Sequence, residues 1–301
     1  MRHNETGTPG MTDPRRHHYV PQFHQRRFTG ADGRLWVWDK SADRVFQTTP
    51  GSIAVEADFY RLHELEKRGR DPFIMEKRLS GMEGQMSLIT EHWLGWLRTV
   101  APGERIEIPP PNRDIVSRFM AVQFLRTADT RDVLGAIQAT YHPDKLLSKE
   151  ERTGLHTELM WELAIVDLIA GHIREAIWIF ARNTTSTPFT TSDNPVAFRT
   201  KDNAMWLKVG FVAEGTYAVY PLAPDIVMFC HEREYWKKIA QLDGCLSPFS
   251  LTDEMVQSEN SGQVFMASRF VISPINDFAF AREFAKTIGT DTYARPKNER
   301  P

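Results

Sequence analysis

The chain has 301 residues, of which 41% are hydrophobic and 25% are charged, and its formal net charge at pH 7 is -2. A chain of this length and composition buries enough apolar surface to fold without disulfide or metal crosslinks. The balance of 37 Lys and Arg against 39 Asp and Glu argues against a surface that binds nucleic acid over its whole area, but leaves local basic patches open.

The sequence also predicts the compartment. Residues 1–13 are polar and lack the apolar segment of a signal peptide, so we expect a disordered leader. The most apolar stretch, residues 161–180, contains five ionisable side chains and predicts a buried helix rather than a membrane span. Two cysteines, Cys230 and Cys245, are too few for a secreted disulfide framework, and we expect both to be reduced. The sequence therefore predicts a cytoplasmic protein that does not contact a membrane.

The first half of the chain changes from strand to helix patterns. "RLWVWDK" (34–40) alternates apolar and polar residues, and "RVFQTT" (44–49) follows a short turn, which predicts a β-hairpin. Residues 72–100 carry apolar side chains at steps of three and four and predict a long helix. Two further long helices are predicted over 113–140 and 150–182.

The second half is rich in β-formers broken by prolines. Segments 186–198 and 216–232 predict strands joined by turns. Segments 234–242 and 252–273 predict helices, and a last short helix is expected near 277–287.

These elements indicate an α+β fold in which long helices pack on a small mixed β-sheet. That sheet would combine the N-terminal hairpin with the strands of 186–230. Because strands from both halves can join one sheet, we expect a single domain over 14–288, followed by a polar tail at 289–301.

The first candidate motif is "HHYVPQFHQRRF", residues 17–28. Pro21 favours an extended chain before it and suits the first turn of a short helix after it. On extended chain, His17 and Tyr19 point to one side and His18 to the other. The two adjacent histidines therefore cannot easily bind the same metal ion.

Across this strand–helix junction, His18 and Gln22 can converge, with Arg26 one turn further on. A neutral imidazole beside a guanidinium suits a phosphate or carboxylate pocket, because the histidine handles a proton while the arginine holds the anion. The alternative is that the histidine nitrogens tie the segment to nearby backbone. A small ββα-metal nuclease is disfavoured, because residues 50–66 offer no ordered set of metal ligands.

The second candidate motif is "TTSDNPV", residues 190–196. Asp193 can either cap its own turn or reach into a cleft as a metal ligand or general base. Ser192 and Asn194 flank it and would contact a substrate in the second case.

A third group lies on the helix segment "RFMAVQFLRT", residues 118–127. Gln123 and Arg126 are three residues apart and share a face of the helix. The surrounding residues are apolar, so Arg126 must be paired or face a cavity. Asp193 or a bound anion could pair with it, and a purely structural ion pair is an equal alternative.

Four segments, "HHYVPQF", "RVFQTTPGSIAVEADFY", "AVQFLRT" and "FTTSDNPV", occur in this order and together resemble a bacterial family known as domain of unknown function 4238. The resemblance runs from about His17 to Ala285 and implies a shared architecture, but no activity. At the position of His24 the family more usually has an apolar residue, so we expect His24 to be a variable surface residue outside the site. Family position also suggests that Ser268 and Arg269, on a predicted helix, line the same cleft.

Three classes of function remain open. The first is a hydrolase acting on a phosphorylated or nucleic-acid substrate, with or without a divalent metal. The second is a non-catalytic sensor module that binds an anion or nucleotide, and the third is a protein-interaction domain with a buried polar network. In the first class, His18 and Asp193 would be catalytic. The residues expected to contact the substrate are His17, Tyr19, Gln22, Arg26, Gln123, Arg126, Ser192 and Asn194.

Overall fold

The structure is a computed structural model that describes residues 16–289 apart from 102, 143, 145, 146, 209 and 212. The leader predicted at 1–13 lies outside the described residues, as does the predicted tail beyond residue 289. The single domain over 14–288 stays a prediction.

The described residues form nine α-helices and two short 3-10 helices, Pro50–Ser52 and Lys237–Leu242. The α-helices are α1 Gln22–Arg26, α2 His63–Lys67, α3 Ile74–Thr99, α4 Pro110–Leu125, α5 Ala128–Tyr141, α6 Lys149–Trp161, α7 Leu163–Glu175, α8 Asp253–Met266 and α9 Ala279–Ala285.

The strands in the described part of the chain are β1 Arg16–His18, β2 Leu35–Asp39, β3 Arg44–Thr48, β4 Val55–Ala57, β5 Ile106–Glu107, β6 Ile177–Arg182, β7 Thr191–Ser192, β8 Ala197–Arg199, β9 Trp206–Leu207, β10 Tyr217–Ala223, β11 Ile226–His231, β12 Cys245–Leu246, β13 Phe249–Ser250 and β14 Phe270–Ser273. They form a six-stranded sheet in the order β13-β6-β11-β10-β8-β9 and a four-stranded sheet in the order β3-β2-β14-β7. Two smaller pairs, β1 with β4 and β5 with β12, complete the pairing. The fold class, α+β, is confirmed.

The six-stranded sheet is apolar on both faces. On one face, Trp178 and Phe180 of β6 pack against Trp93 of α3, with ring centroids 6.1 Å and 5.8 Å apart. On the other face, Ile177 and Ile179 belong to a second apolar cluster that includes residues of α8. Successive side chains of a strand point to opposite faces, so a strand covered on both sides is a continuous apolar run.

The predicted hairpin is confirmed as β2 and β3, and it joins β14 and β7 from later in the chain. Strands of both halves therefore share a sheet. The prediction of one small mixed sheet is wrong, because β8, β10 and β11 form the separate six-stranded sheet. That larger sheet is the mixed one, since β13 runs parallel to β6.

Of the three long helices, the one at 72–100 is confirmed as α3. The continuous helix over 113–140 is wrong, because Thr127 separates α4 from α5 and its side chain accepts a hydrogen bond from the amide three residues on. The helix over 150–182 is also wrong. Glu162 ends α6 and begins α7, and the last part of the segment is β6.

The C-terminal helices are shorter than predicted. The helix over 252–273 ends at Met266, and the chain continues into β14. Segment 234–242 contains only a 3-10 helix, and the short helix near 277–287 is confirmed as α9.

Candidate functional site

The opening motif begins on β1, whose pairing with β4 turns His17 inward and leaves His18 half-buried. The Nδ1 atom of His17 accepts a hydrogen bond from the Tyr60 amide at 2.8 Å, and the two rings stack with centroids 5.7 Å apart. Tyr19 is buried, and its carbonyl accepts a bond from the Gln123 side chain at 3.0 Å. His17, Tyr19 and Gln123 are therefore held inside the fold.

His18, Gln22 and Arg26 come together as the sequence predicts. His18 Nε2 donates to the Gly51 carbonyl at 3.4 Å, and Gln22 Nε2 donates to His18 Nδ1 at 3.4 Å. The exposed Arg26 guanidinium donates to Gln22 Oε1 at 3.1 Å. Burial lowers the pKa of His18, although the bond to Gly51 and the charge of Glu83 act in the opposite sense. His18 is therefore a neutral imidazole at pH 7.

Arg126 lies directly beneath this group, 99% buried at the end of α4. Its guanidinium donates to the His18 carbonyl at 2.5 Å, to Glu83 Oε1 at 2.7 Å and to the Tyr60 hydroxyl at 3.1 Å. The carboxylate that pairs with Arg126 is thus Glu83 and not Asp193. Three directed hydrogen bonds fix the arginine in place and fix the backbone of His18 with it.

Glu76 and Glu83, both on α3, also belong to this region, although the sequence analysis does not predict them as site residues. They are seven residues apart, or two helical turns, and so lie on the same side of the helix. Glu76 Oε2 is buried and has no hydrogen-bond partner among the described residues. Burial raises the pKa of Glu76 to about 7, although the charge of Arg126 lowers it. The signal available in the sequence was two carboxylates at this spacing on an otherwise apolar side of the predicted helix.

The second motif is held differently. Asp193 is 98% buried, and its carboxylate accepts three backbone N–H bonds, from Ser268 at 2.9 Å, Arg269 at 2.8 Å and Phe270 at 3.0 Å. Burial raises the pKa of Asp193 to about 6, while these amides and Lys40 favour its ionised form. The carboxylate therefore connects the β7 region to the start of β14.

The neighbours of Asp193 are also buried. The Ser192 hydroxyl lies 2.9 Å from the Asn194 carbonyl and 3.1 Å from Gln263 Oε1 on α8. Asn194 is 98% buried, and its Oδ1 atom has no partner among the described residues. Ser268 and Arg269 lie between α8 and β14 and not on a helix, and the Arg269 guanidinium pairs with Asp39 at 2.8 Å.

The sequence places this chain in a known family. The model of the family described as "Protein of unknown function (DUF4238)" matches residues 16–277. The chain belongs to this family. No curated protein and no solved structure matches the chain.

In this DUF4238 protein the expectation for His24 is wrong, because His24 is fully buried. Its Nε2 atom lies 2.9 Å from the Thr191 hydroxyl, and its Nδ1 atom lies 3.2 Å from the Tyr220 hydroxyl. Burial lowers the pKa of His24 to about 3, so the ring is neutral. His24 thus joins α1 of the first motif to β7 of the second, a polar contact that a substitution by an apolar residue would remove.

Other features bear on a metal or membrane role of this DUF4238 protein. Within 16–289, with the gaps given above, no three His, Cys, Asp or Glu residues are grouped so that they could hold a metal ion. Cys230 and Cys245 are both free thiols. None of the described helices is both long and apolar enough to cross a membrane.

Proposed function

We propose that this protein is a hydrolase of a phosphorylated substrate in which His18 and Glu76 are the acid–base groups. One observation carries the proposal: two half-buried titratable side chains surround a fixed ion pair, Arg126 with Glu83. Both groups interact electrostatically with that pair, and their pKa values are displaced in opposite directions, lower for His18 and higher for Glu76. Displaced pKa values of this kind are typical of acid–base sites.

The two groups would divide the chemistry. At pH 7, His18 is unprotonated, and its Nδ1 atom would give up the 3.4 Å hydrogen bond from Gln22 to accept a proton from an attacking water molecule. Glu76, with a pKa of about 7, keeps its proton in part of the molecules and can donate it to the leaving group. Arg126 would act as a positioning residue, because its donors already hold His18, Glu83 and Tyr60.

The phosphate would bind at the exposed rim of the same region. Arg26 is exposed beside Gln22, and Arg16 is exposed beside Gly51, which also accepts the bond from His18. Two guanidinium groups next to a neutral imidazole suit a dianion. In this proposal Asp193 does not touch the substrate, and a divalent metal has no assigned role.

The test is the hydrolysis of phenyl phosphate and diphenyl phosphate as a function of pH, because the strongly basic phenolate leaving group needs the proton that Glu76 would donate. We expect a bell-shaped profile whose acid limb, where His18 gains a proton, lies below the ordinary histidine pKa of 6.5, and which falls again above about pH 7, as Glu76 loses its proton. His18→Ala and Glu76→Gln should each lower kcat/KM by about 100-fold or more. The matched control is Glu91→Gln, an exposed glutamate on the same helix, which should leave the rate unchanged. Equal rates for Glu76→Gln and the wild type would contradict the proposal.

A second candidate is the protein-interaction domain with a buried polar network. It is favoured by the second motif, in which Thr191, Ser192 and Asp193 all bond within the fold. The sensor alternative predicts binding without turnover. Thermal melting with inorganic phosphate or nucleotides separates the interaction domain from the sensor. Of these two, only the sensor would melt at a higher temperature with ligand, and Arg26→Ala would abolish that increase.

A further inference from the structure

An apolar cavity of about 170 Å³ lies between α3, α4 and α7, beside the end of α6. Its floor is formed by apolar side chains of all four helices, which are Met75, Leu79, Val122, Met160 and Val166. These residues keep 2–6% of their surface exposed, so a ligand in the cavity can contact them. An apolar cavity of about 150 Å³ holds one benzene molecule, and this space therefore suits a short alkyl chain or a single ring.

The mouth of the cavity leaves large apolar side chains in water. Leu163, at the start of α7, is 62% exposed, and Trp161, at the end of α6, is 37% exposed. Single exposed apolar residues are common on proteins, but these two border an open apolar cavity. A ligand that covered them would remove apolar surface from water, which favours binding.

The polar side chains of the lining can only donate hydrogen bonds. They are the guanidinium groups of Arg78 and Arg118 and the indole N–H of Trp161. Among the described residues, no carboxylate, hydroxyl or carboxamide side chain lines the cavity. The head group of a ligand held here must therefore accept hydrogen bonds, and an anion accepts them most strongly.

The two arginines differ in their partners. Arg118 donates to Asp167 at 2.6 Å, but both side chains are about half exposed, and an exposed pair of this kind is weak. Arg78 is exposed and has no hydrogen bond or ion pair with any described residue. Its guanidinium carbon lies 4.2 Å from the centroid of the Trp161 ring. This stacking holds an unpaired cation beside the apolar mouth.

We propose that this cavity binds a small anionic amphiphile, a carboxylate or sulfate whose alkyl chain packs on the apolar floor while its head group pairs with Arg78. The proposal goes beyond the hydrolase activity and does not depend on it, because no residue that lines the cavity belongs to the His18 region.

The test is calorimetric titration of the full chain at pH 7.5 with octanoate and octyl sulfate, compared with octanol, octylammonium and acetate. At least one of the two anions should bind about fivefold or more tightly than octanol, because the guanidinium adds a charged contact. Octylammonium would be repelled by the arginines and acetate has no chain, so neither should bind at millimolar concentration. If octanol binds as tightly as both anions, the anionic head group is wrong. If neither anion binds, the site itself is wrong.

The deciding variant for the head group is Arg78→Met, which keeps an unbranched side chain over the Trp161 ring and removes the charge. We expect it to bind the anion about fivefold or more weakly and to bind octanol as the wild type does, a difference that loss of packing alone would not produce. The matched control is Arg44→Met, because Arg44 is also exposed and stacks on an aromatic ring, that of Phe46, outside the cavity. Unchanged affinity of Arg78→Met for the anion would contradict the proposal.

The variant for the alkyl chain is Met82→Trp, at a half-buried position of the lining where a larger side chain takes up part of the cavity. It should weaken the binding of the anion and of octanol alike. Leu88→Trp, at an exposed position of the same helix outside the cavity, should bind both as the wild type does. Anion binding that is unchanged in Met82→Trp would mean that the chain lies elsewhere and would overturn the site.

Discussion

The two motifs of this protein, residues 17–28 and 190–196, are both rich in polar side chains, yet the fold treats them differently. In the first motif, His18 and Gln22 are half-buried and Arg26 is exposed, and the backbone of His18 is bonded to the buried Arg126. In the second, every side chain from residue 190 to 194 is at least 92% buried. Polar residues in a motif can therefore serve either the fold or a ligand, and their burial and hydrogen-bond partners distinguish the two roles.

The largest effect should come from Asp193→Ala. The substitution removes the acceptor of three backbone amides, and we expect the free energy of unfolding to fall by about 2–4 kcal/mol in urea denaturation. His18→Ala should cost less than about 1 kcal/mol, because its ring bonds are long and partly exposed. The exposed Asp132→Ala serves as a control with no expected change. Equal losses for Asp193→Ala and His18→Ala would remove the distinction between the motifs.

His24→Phe tests the contact that joins the two motifs. It keeps an aromatic ring but leaves the Thr191 and Tyr220 hydroxyls without this partner, so we expect a loss of about 2 kcal/mol at pH 7.5.

The pH dependence sharpens this test. The pKa of His24 is about 3 in the folded protein and 6.5 unfolded, so between these values the unfolded chain binds the extra proton and stability falls as pH falls. At pH 5, protonation of His24 in the unfolded chain lowers the free energy of unfolding of the wild type by about 2 kcal/mol. The stability of His24→Phe should therefore approach that of the wild type at this pH. A difference between the two proteins that is the same at pH 7.5 and pH 5 would mean that His24 is not buried as a neutral ring.

The sequence predicted the elements that have one apolar face. The helix α3 and the hairpin β2–β3 follow from periodicity, because each buries one side and exposes the other. The sequence does not distinguish segment 177–182 from the end of a helix, because β6 is covered on both faces and its apolar run has no period. The break at Thr127 does have a signal in the sequence, since threonine is a favoured N-cap residue.

The site was predicted only in part for a related reason. The convergence of His18, Gln22 and Arg26 follows from spacing across a strand–helix junction, which is local. The partners Glu83 and Glu76 come from a helix more than 50 residues away, and the position of His24 depends on Tyr220. Contacts between distant segments are set by tertiary packing, and the local pattern of one sequence does not contain them.

The most direct test of the account is the titration of the Glu76 carboxyl carbon by NMR in the full-length protein, with Glu76→Gln used to assign the signal. The account predicts a midpoint near pH 7, because the partial burial of the Glu76 carboxyl raises its pKa by more than the charge of Arg126 lowers it. A midpoint near 4.5, the usual value for a glutamate, would mean that the carboxyl is solvated and would remove the proton donor from the proposed site.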